Sequence, residues 1–382
     1  MKSIYFLLIL GTINLSVINA QESLHNYGNL KMHETAQVGF FSNLINDGIF
    51  DDNKGLAGFY NTNTSNISGA FSPIFEDLEI VVSNNLVLEV AVGITNNSNF
   101  ILGNVVTPRN LIDINLNYIT NAFYTGDADA TKVDGYSAIT NKQNFIFPIG
   151  TANKLRPLEI NSELVNKNSK SAYFFEDPNT PSTFSTSFNT TLLADILLNV
   201  STYEFWDIDA SVLSKITLTW DNDSNLNTFI DDINNLRVVG WNTQDNIWED
   251  LGNTSFVGDF NAGTITSNTF IPDNYSVVTF GGSLSIGNVS LDNVIITPNG
   301  DGTNDFFAID AVALSPNNTL QIFNRWGRLV YEENNYRNTF SGIANTAAIY
   351  ARDKKLPSGI YYYIVDLSDT NITHQGYLYI NQ

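Results

Sequence analysis

The sequence contains no cysteine, which removes disulfides, thiol catalysis and cysteine-based zinc sites together. Histidine is nearly as scarce, at His25, His33 and His374, and no GxSxG or HExxH pattern accompanies them, which argues against proteolysis. Cationic residues are few: 18 Lys and Arg stand against 39 Asp and Glu, for a net charge of −21. A phosphate backbone demands a cationic face and an anionic bilayer favours one, so the balance speaks against nucleic acid and against membrane adsorption. Beyond residue 20 no apolar run is long enough to span a bilayer, and the mature chain is expected to have no transmembrane segment.

What remains is apolar, uncharged and rich in turn formers. The 382 residues are 43% hydrophobic and 12% aromatic, enough for sizeable cores and for two or three domains. Asn occurs 53 times, and it favours turns over helix interiors. Many short strands joined by many turns are therefore expected, which places the chain in the all-β class. The opening "MKSIYFLLILGTINLSVINA" pairs Lys2 with an interrupted apolar stretch and a small Ala20. Residues 1–20 thus read as a signal peptide and the mature chain as exported.

Residues 21–200 read as a β-rich passenger region in which short apolar runs recur roughly every ten residues with Asn or Gly at the corners, as in a solenoid-like coil or a meander. In "LIDINLNYI", Ile112, Ile114, Leu116 and Tyr118 alternate with polar residues, the period of a half-buried strand. "TTLLADILLNV" and "NTFIDDINNL" are the two short helical candidates. Residues 201–283 read as a central β-sandwich, with Ile216, Leu218 and Trp220 alternating. Trp206, Trp220, Trp241 and Trp248 in this unit either stack on sugars or fill its core, and the alternation favours the core. Candidate carboxylate pairs for glycoside hydrolysis are Glu204 with Asp207 or Asp209, and Asp221 with Asp223; solvated turns explain them as well. Residues 284–288 read as a linker. From Asn288 onward six Lys and Arg face nine Asp and Glu, a net of −3, so −18 of the −21 lies upstream; the shift supports a domain boundary.

The stretch "ITPNGDGTNDFFAID" places Asn299, Asp301, Thr303 and Asp305 at alternate positions, with Asp310 following. Oxygen ligands at such spacing make it a candidate calcium loop, although Pro298-Asn299-Gly300 also suffices for a plain turn. Three further blocks follow in order: "LQIFNRWGRLVYE", "LPSGIYYYIVDL" and "HQGYLYINQ". Residues 289–382 together resemble the gliding motility-associated C-terminal domain, the type B sorting domain of the type IX secretion system. The resemblance rests on Pro298, Asn299, Gly300, Asp301, Gly302 and Asp305 in the first block, then Asn324, Arg325, Trp326 and Gly327. It continues with Pro357, Gly359, Tyr361 and Tyr362, and closes with Gly376. One departure is Phe340-Ser341-Gly342 where the family has an aromatic-Asp-Gly element, followed by a longer segment than expected. The resemblance implies an Ig-like β-sandwich, passage through the periplasm to the cell surface or medium, and the type IX machinery as partner. Arg325, Arg328, Arg337 and Arg352 are candidates for the surface it grips. "GIYYYIVDL", apolar at successive positions, is expected to be a central strand covered on both faces.

The function expected from these observations is that of a non-enzymatic surface or secreted protein with an adhesion or surface-assembly role. The alternative is a secreted carbohydrate-binding protein, or a polysaccharide-acting enzyme. Surface glycans or other surface proteins are the expected partners, and calcium is the only candidate cofactor.

Overall fold

The computed structural model describes residues 23–151, 153–194, 197–283, 294–309, 315, 317–346, 355–368 and 372–382. The expected signal peptide, the expected linker at 284–288, Asp310 and Arg352 lie outside the described residues. The protein is all-β, with 52% of residues in strands and 4% helical. The helical part consists of single 3-10 turns such as Asn222–Ser224 and Ile233–Asn235. No helix among the described residues is long and apolar enough to cross a membrane.

Two compact units are present. The first holds the chain up to Lys142 together with Pro148–Leu155; the second holds Gln143–Phe147 and everything from Arg156. The first unit is a β-solenoid. Its strands lie in two parallel sheets, one running from Ser23–Asn26 through Asn43–Asn46, Ser65–Ser68 and Leu86–Leu88, the other from Gln37–Phe40 through Leu56–Asn61, Ile74–Val82 and Val92–Leu102. Gln37 pairs with Leu56 and Leu56 with Asp77, so a rung advances 19 or 21 residues. Parallel strands so close in sequence without a crossover helix leave a coil as the solution. Rung length is uneven, since Val105 pairs with Val133, and a strict period is therefore absent from the sequence.

Stacking rungs in register puts like residues above like. Phe40, Phe59, Ile80 and Phe100 form one buried column, with the Phe40 and Phe59 rings stacked at 4.7 Å, the spacing of adjacent strands. Asn takes the corners. Asn26 and Asn46 are register partners; the Asn26 amide donates to Asn46 Oδ1 at 2.8 Å, and that of Asn46 to the Phe71 carbonyl at 2.9 Å. Corners also pass close to the rung beneath. Gly103 has φ +81°, and a Cβ there would lie 1.9 Å from the Val82 carbonyl oxygen.

The second unit opens with a sandwich. One sheet orders Leu158–Asn166, Ser214–Trp220, Gly263–Thr266 and Ser255–Gly258; the other orders Ser169–Phe174, Phe205–Asp209, Tyr275–Ser283, Leu236–Asn242 and Trp248–Gly252. Trp220 from one sheet and Trp206 from the other meet Phe280 edge-on between them. Residues 158–166 and 169–174 pair with 214–220 and 205–209. The expected boundary between residues 200 and 201 therefore cuts through both sheets. Tight Asn and Asp corners look alike within and between domains, so turn chemistry could not locate it.

Two further expectations are corrected. "TTLLADILLNV" forms a turn, a bridge from Leu193 to Trp248 and the strand Leu197–Val200, because pairing with Tyr275–Ser283 buries Leu197 and Val200. "NTFIDDINNL" yields only 3-10 turns, the last capped by Asp232 accepting from the Asn234 amide; such local bonds compete with helix. In "LIDINLNYI" the strand begins at Leu116, after a turn closed by the Ile114 amide on the Leu111 carbonyl.

The tail forms a five-stranded sheet in the order Val294–Ile296, Ile372–Ile380, Gly359–Leu367, Asn318–Phe323 and Leu329–Asn334. All neighbours are antiparallel except the first pair. Its inward row, including Leu320, Ile322, Tyr363, Val365 and Leu378, packs against Phe307, Ile309, Tyr336, Phe340 and Leu356 from the connecting segments.

Gly103→Ala tests the rung geometry. An L side chain at that φ costs about 1–2 kcal/mol before any clash, so the variant is expected to lower solenoid stability by about 2 kcal/mol or more in urea unfolding followed by hydrogen exchange. A loss under about 0.5 kcal/mol would contradict it.

Candidate functional site

The residues with chemical potential in the sandwich are engaged in holding it. Successive strand residues face opposite ways, so Glu204 lies on the side of Trp206, while Asp207 and Asp209 share the other. The first candidate pairing is therefore not assembled. Glu204 is fully buried and instead meets Asp221 through Arg156. The guanidinium Nε donates to Glu204 at 3.1 Å and Nη2 donates to Asp221. Tyr173 Oη donates to Glu204 at 2.6 Å, and Trp206 Nε1 to the Arg156 carbonyl at 3.2 Å. Burial pushes the Glu204 carboxyl above the usual carboxylate range against the opposing pull of Arg156. Burial works against the Arg156 charge, but its bonds to Asp221 and Glu204 outweigh it and hold the guanidinium protonated. Asp221 also caps the Asn222–Ser224 turn, accepting from the Asp223 amide at 2.8 Å. The four tryptophans of this unit are all buried, so none presents a ring face for a sugar.

In the tail, three of the candidate calcium side chains, Asn299, Asp301 and Asp305, accept from the loop's own backbone amides. Asp305 accepts from the amides of Asn299 at 3.0 Å, Gly300 at 2.7 Å and Gly302 at 2.8 Å. Asp301 accepts from the Thr303 amide at 2.8 Å and from the Asn299 side chain at 2.9 Å. Gly300 and Gly302, at φ +82° and +86°, make the sharp path possible. The ring of N–H donors suits an anion, here the Asp305 carboxylate. Among the described residues no group of three or more His, Asp or Glu is placed to hold a metal. The loop is a self-capped turn.

The second block makes the corner between strands. Asn324 Oδ1 accepts from the amides of Trp326 and Arg328, both at 3.0 Å, and Gly327 turns at φ +72°. Trp326 stands in solvent with the Arg325 guanidinium 4.2 Å from its ring centre. In the third block Tyr361 Oη donates to the Pro357 carbonyl at 2.9 Å. Gly376, opposite Tyr363, leaves room for its phenol, since a Cβ there would meet the Tyr363 oxygen at 2.5 Å.

Residues 289–380 match the family model of the CHU_C type IX secretion signal domain. The tail is a sorting domain. The match indicates export to the outer cell surface or secretion, and it implies the secretion machinery as a partner. No curated protein and no solved structure matches the chain.

Within the sorting domain the strand Gly359–Leu367 is central but, among the described residues, covered on one face only. Tyr361, Tyr363, Val365 and Leu367 are buried, whereas Ile360 and Tyr362 are exposed. This corrects the expectation of cover on both sides, which rested on apolar residues at successive positions. The outward row continues on the neighbours as Ile295, Tyr377 and Tyr379; these five side chains are 39–56% exposed. Arg325, Arg328 and Arg337 are exposed. Sequence reasoning did not single out Asn318 or Tyr336, which pin the connecting segments over the inner face. Buried Asn318 donates to the Ser315 carbonyl at 2.7 Å and accepts from the Tyr336 amide at 2.9 Å, and Tyr336 Oη donates to the Phe307 carbonyl. Phe340 is buried and its carbonyl accepts from the Phe307 amide at 2.9 Å, so the departing Phe340-Ser341-Gly342 is anchored by packing.

Two predictions follow from these geometries. Arg156→Met leaves a buried carboxylate without its partner and is expected to cost about 3–5 kcal/mol, while Arg156→Met with Glu204→Gln recovers most of it; urea unfolding of the three chains decides. Hydrogen bonds from the Gly300 and Gly302 amides hold the Asp305 carboxyl below the usual range. A depressed carboxyl contributes stability above the ordinary aspartate value, about 3.9, and loses it as pH falls through the folded value. Asp305→Ala is therefore expected to lower the sorting domain's melting temperature at pH 7, with a gap that closes below about pH 3.9.

Proposed function

We propose that this chain is an exported, non-enzymatic protein of the cell surface or medium. Its solenoid and sandwich serve as a scaffold for adhesion or surface assembly, and its tail is the address. Residues 1–20 act as the signal peptide for the first membrane. The tail sheet, with its layer of connecting segments, is read as Ig-like. Surface glycans or other surface proteins are the partners of the scaffold.

The observation that carries this reading is the Arg156 cluster. Glu204 and Asp221, one from each candidate carboxylate pair, are both bound by one buried guanidinium. A general acid or base has to reach a substrate proton, and Glu204 is closed off. The buried indoles likewise withdraw the strongest support for sugar stacking in the sandwich. A stack of rungs offers a long continuous surface, the usual use of such coils.

A deletion strain and its complemented parent, compared for attachment to glass, polysaccharide gels and other cells, test the reading. Attachment reduced several-fold on at least one substratum and restored by the full chain is the expected result. Equal attachment throughout, or polysaccharide cleavage by the purified chain, would overturn it.

A further inference from the structure

We propose that the outward face of the sorting-domain sheet is the surface that the secretion machinery reads, and that it takes a segment bearing apolar side chains and a carboxylate. The proposal rests on the reading of the tail as a secretion signal.

The strand register assembles this face from residues distant in sequence. Ile295, Tyr379 and Ile360 form one row, and Tyr377, Tyr362 and Phe323 form the next. The domain's own core is made by the opposite row, so these side chains do nothing for it by staying in water. A contiguous apolar patch of this kind marks an interaction site, and exposed tyrosines are favoured anchors at protein interfaces. Beside them lies an open groove of about 700 Å³ lined by Phe323, Arg325, Tyr362, Ile364, Gln375 and Tyr377.

Charge selects the occupant. Arg325 lines the groove and Arg328 stands at the same corner, both exposed. The acidic groups of the face are turned to neighbours: Glu332 accepts from Gln321 at 2.7 Å, and Asp366 from Thr373 at 3.1 Å. An apolar floor with a cationic end complements an apolar segment carrying a carboxylate. The same face has a polar end, where Thr319, Asp366 and Thr373 align, and that end supplies an internal control.

The experiment uses the full chain expressed in its native host. Four variants are compared with wild type: Tyr362→Ser with Tyr377→Ser, Arg325→Glu, Thr319→Ala with Thr373→Ala, and a chain ending at residue 288. Mass spectrometry quantifies each in periplasm, outer membrane and medium, and thermal melting of the purified chains reports folding. Delivery of the double tyrosine variant and of Arg325→Glu is expected to fall about tenfold or more, the effect of losing a central anchor. The threonine variant should be delivered as wild type. Should the double tyrosine variant melt early, Arg325→Glu, altered only in solvent, decides alone. Normal delivery of the folded face variants while the truncated chain stays in the periplasm overturns the proposal and leaves the signal reading intact. Normal delivery of the truncated chain overturns both. Face variants that change only self-association in sedimentation, or only retention on polysaccharide gels, assign the face to a second copy or to a glycan and also overturn it.

Discussion

The strand Gly359–Leu367 is hydrogen-bonded along both edges, to Asn318–Phe323 on one side and Ile372–Ile380 on the other. That double pairing leaves it no freedom to rotate. Because strand side chains alternate with period two, fixing Tyr363 and Val365 inward forces Ile360, Tyr362 and Ile364 outward. A slip of one residue would exchange the two rows and expose the core. Inner packing and outer surface are thus one constraint, and the sorting domain cannot keep its core without displaying its aromatic face. The Asn318–Tyr336–Phe307 hydrogen bonds then hold the connecting segments over the inner row, which decides which face is covered.

The same economy of backbone hydrogen bonds explains the asparagine content. A solenoid corner leaves amides and carbonyls pointing along the stack, and each has to find a partner. Asn offers a donor and an acceptor on a short side chain. Asn53 shows the use: it accepts from the Met32 amide and donates to the carbonyls of Phe50 and Ile74, thereby linking three rungs. Charged residues would carry a desolvation cost at such positions, which accounts for a chain that is polar yet only 15% charged.

Much of the fold was legible where a local rule governs it. Ile216, Leu218 and Trp220 alternate in the sequence and are buried as that alternation implies. Gly300, Gly302, Gly327 and Gly359 of the quoted blocks turn with positive φ, and such turn residues leave a direct mark in sequence. The solenoid was legible only as one of two possibilities, since uneven rungs such as Val105 to Val133 conceal the period. The first helical candidate failed because pairing with Tyr275–Ser283 outweighs the propensity of Leu197 and its neighbours, and the second because local caps such as that of Asp232 compete with helix. The outward aromatic face was concealed for a different reason. "GIYYYIVDL" is apolar on both sides, and composition alone cannot separate a strand with two covers from a strand with one cover and a partner still to come.

That distinction bears on how function is divided along the chain. In the sandwich, Glu204, Asp221 and the indoles are consumed by internal contacts, so their chemistry is spent on keeping two sheets together. In the sorting domain the balance is reversed. Arg325 and Trp326 hold each other at a glycine corner in water, and the tyrosines beside them leave apolar surface unburied. Leaving roughly half of such a side chain exposed forgoes on the order of 1 kcal/mol of burial each. A domain that tolerates this at five neighbouring positions is not optimised for its own stability. Such a surface fits a module that serves as a secretion signal.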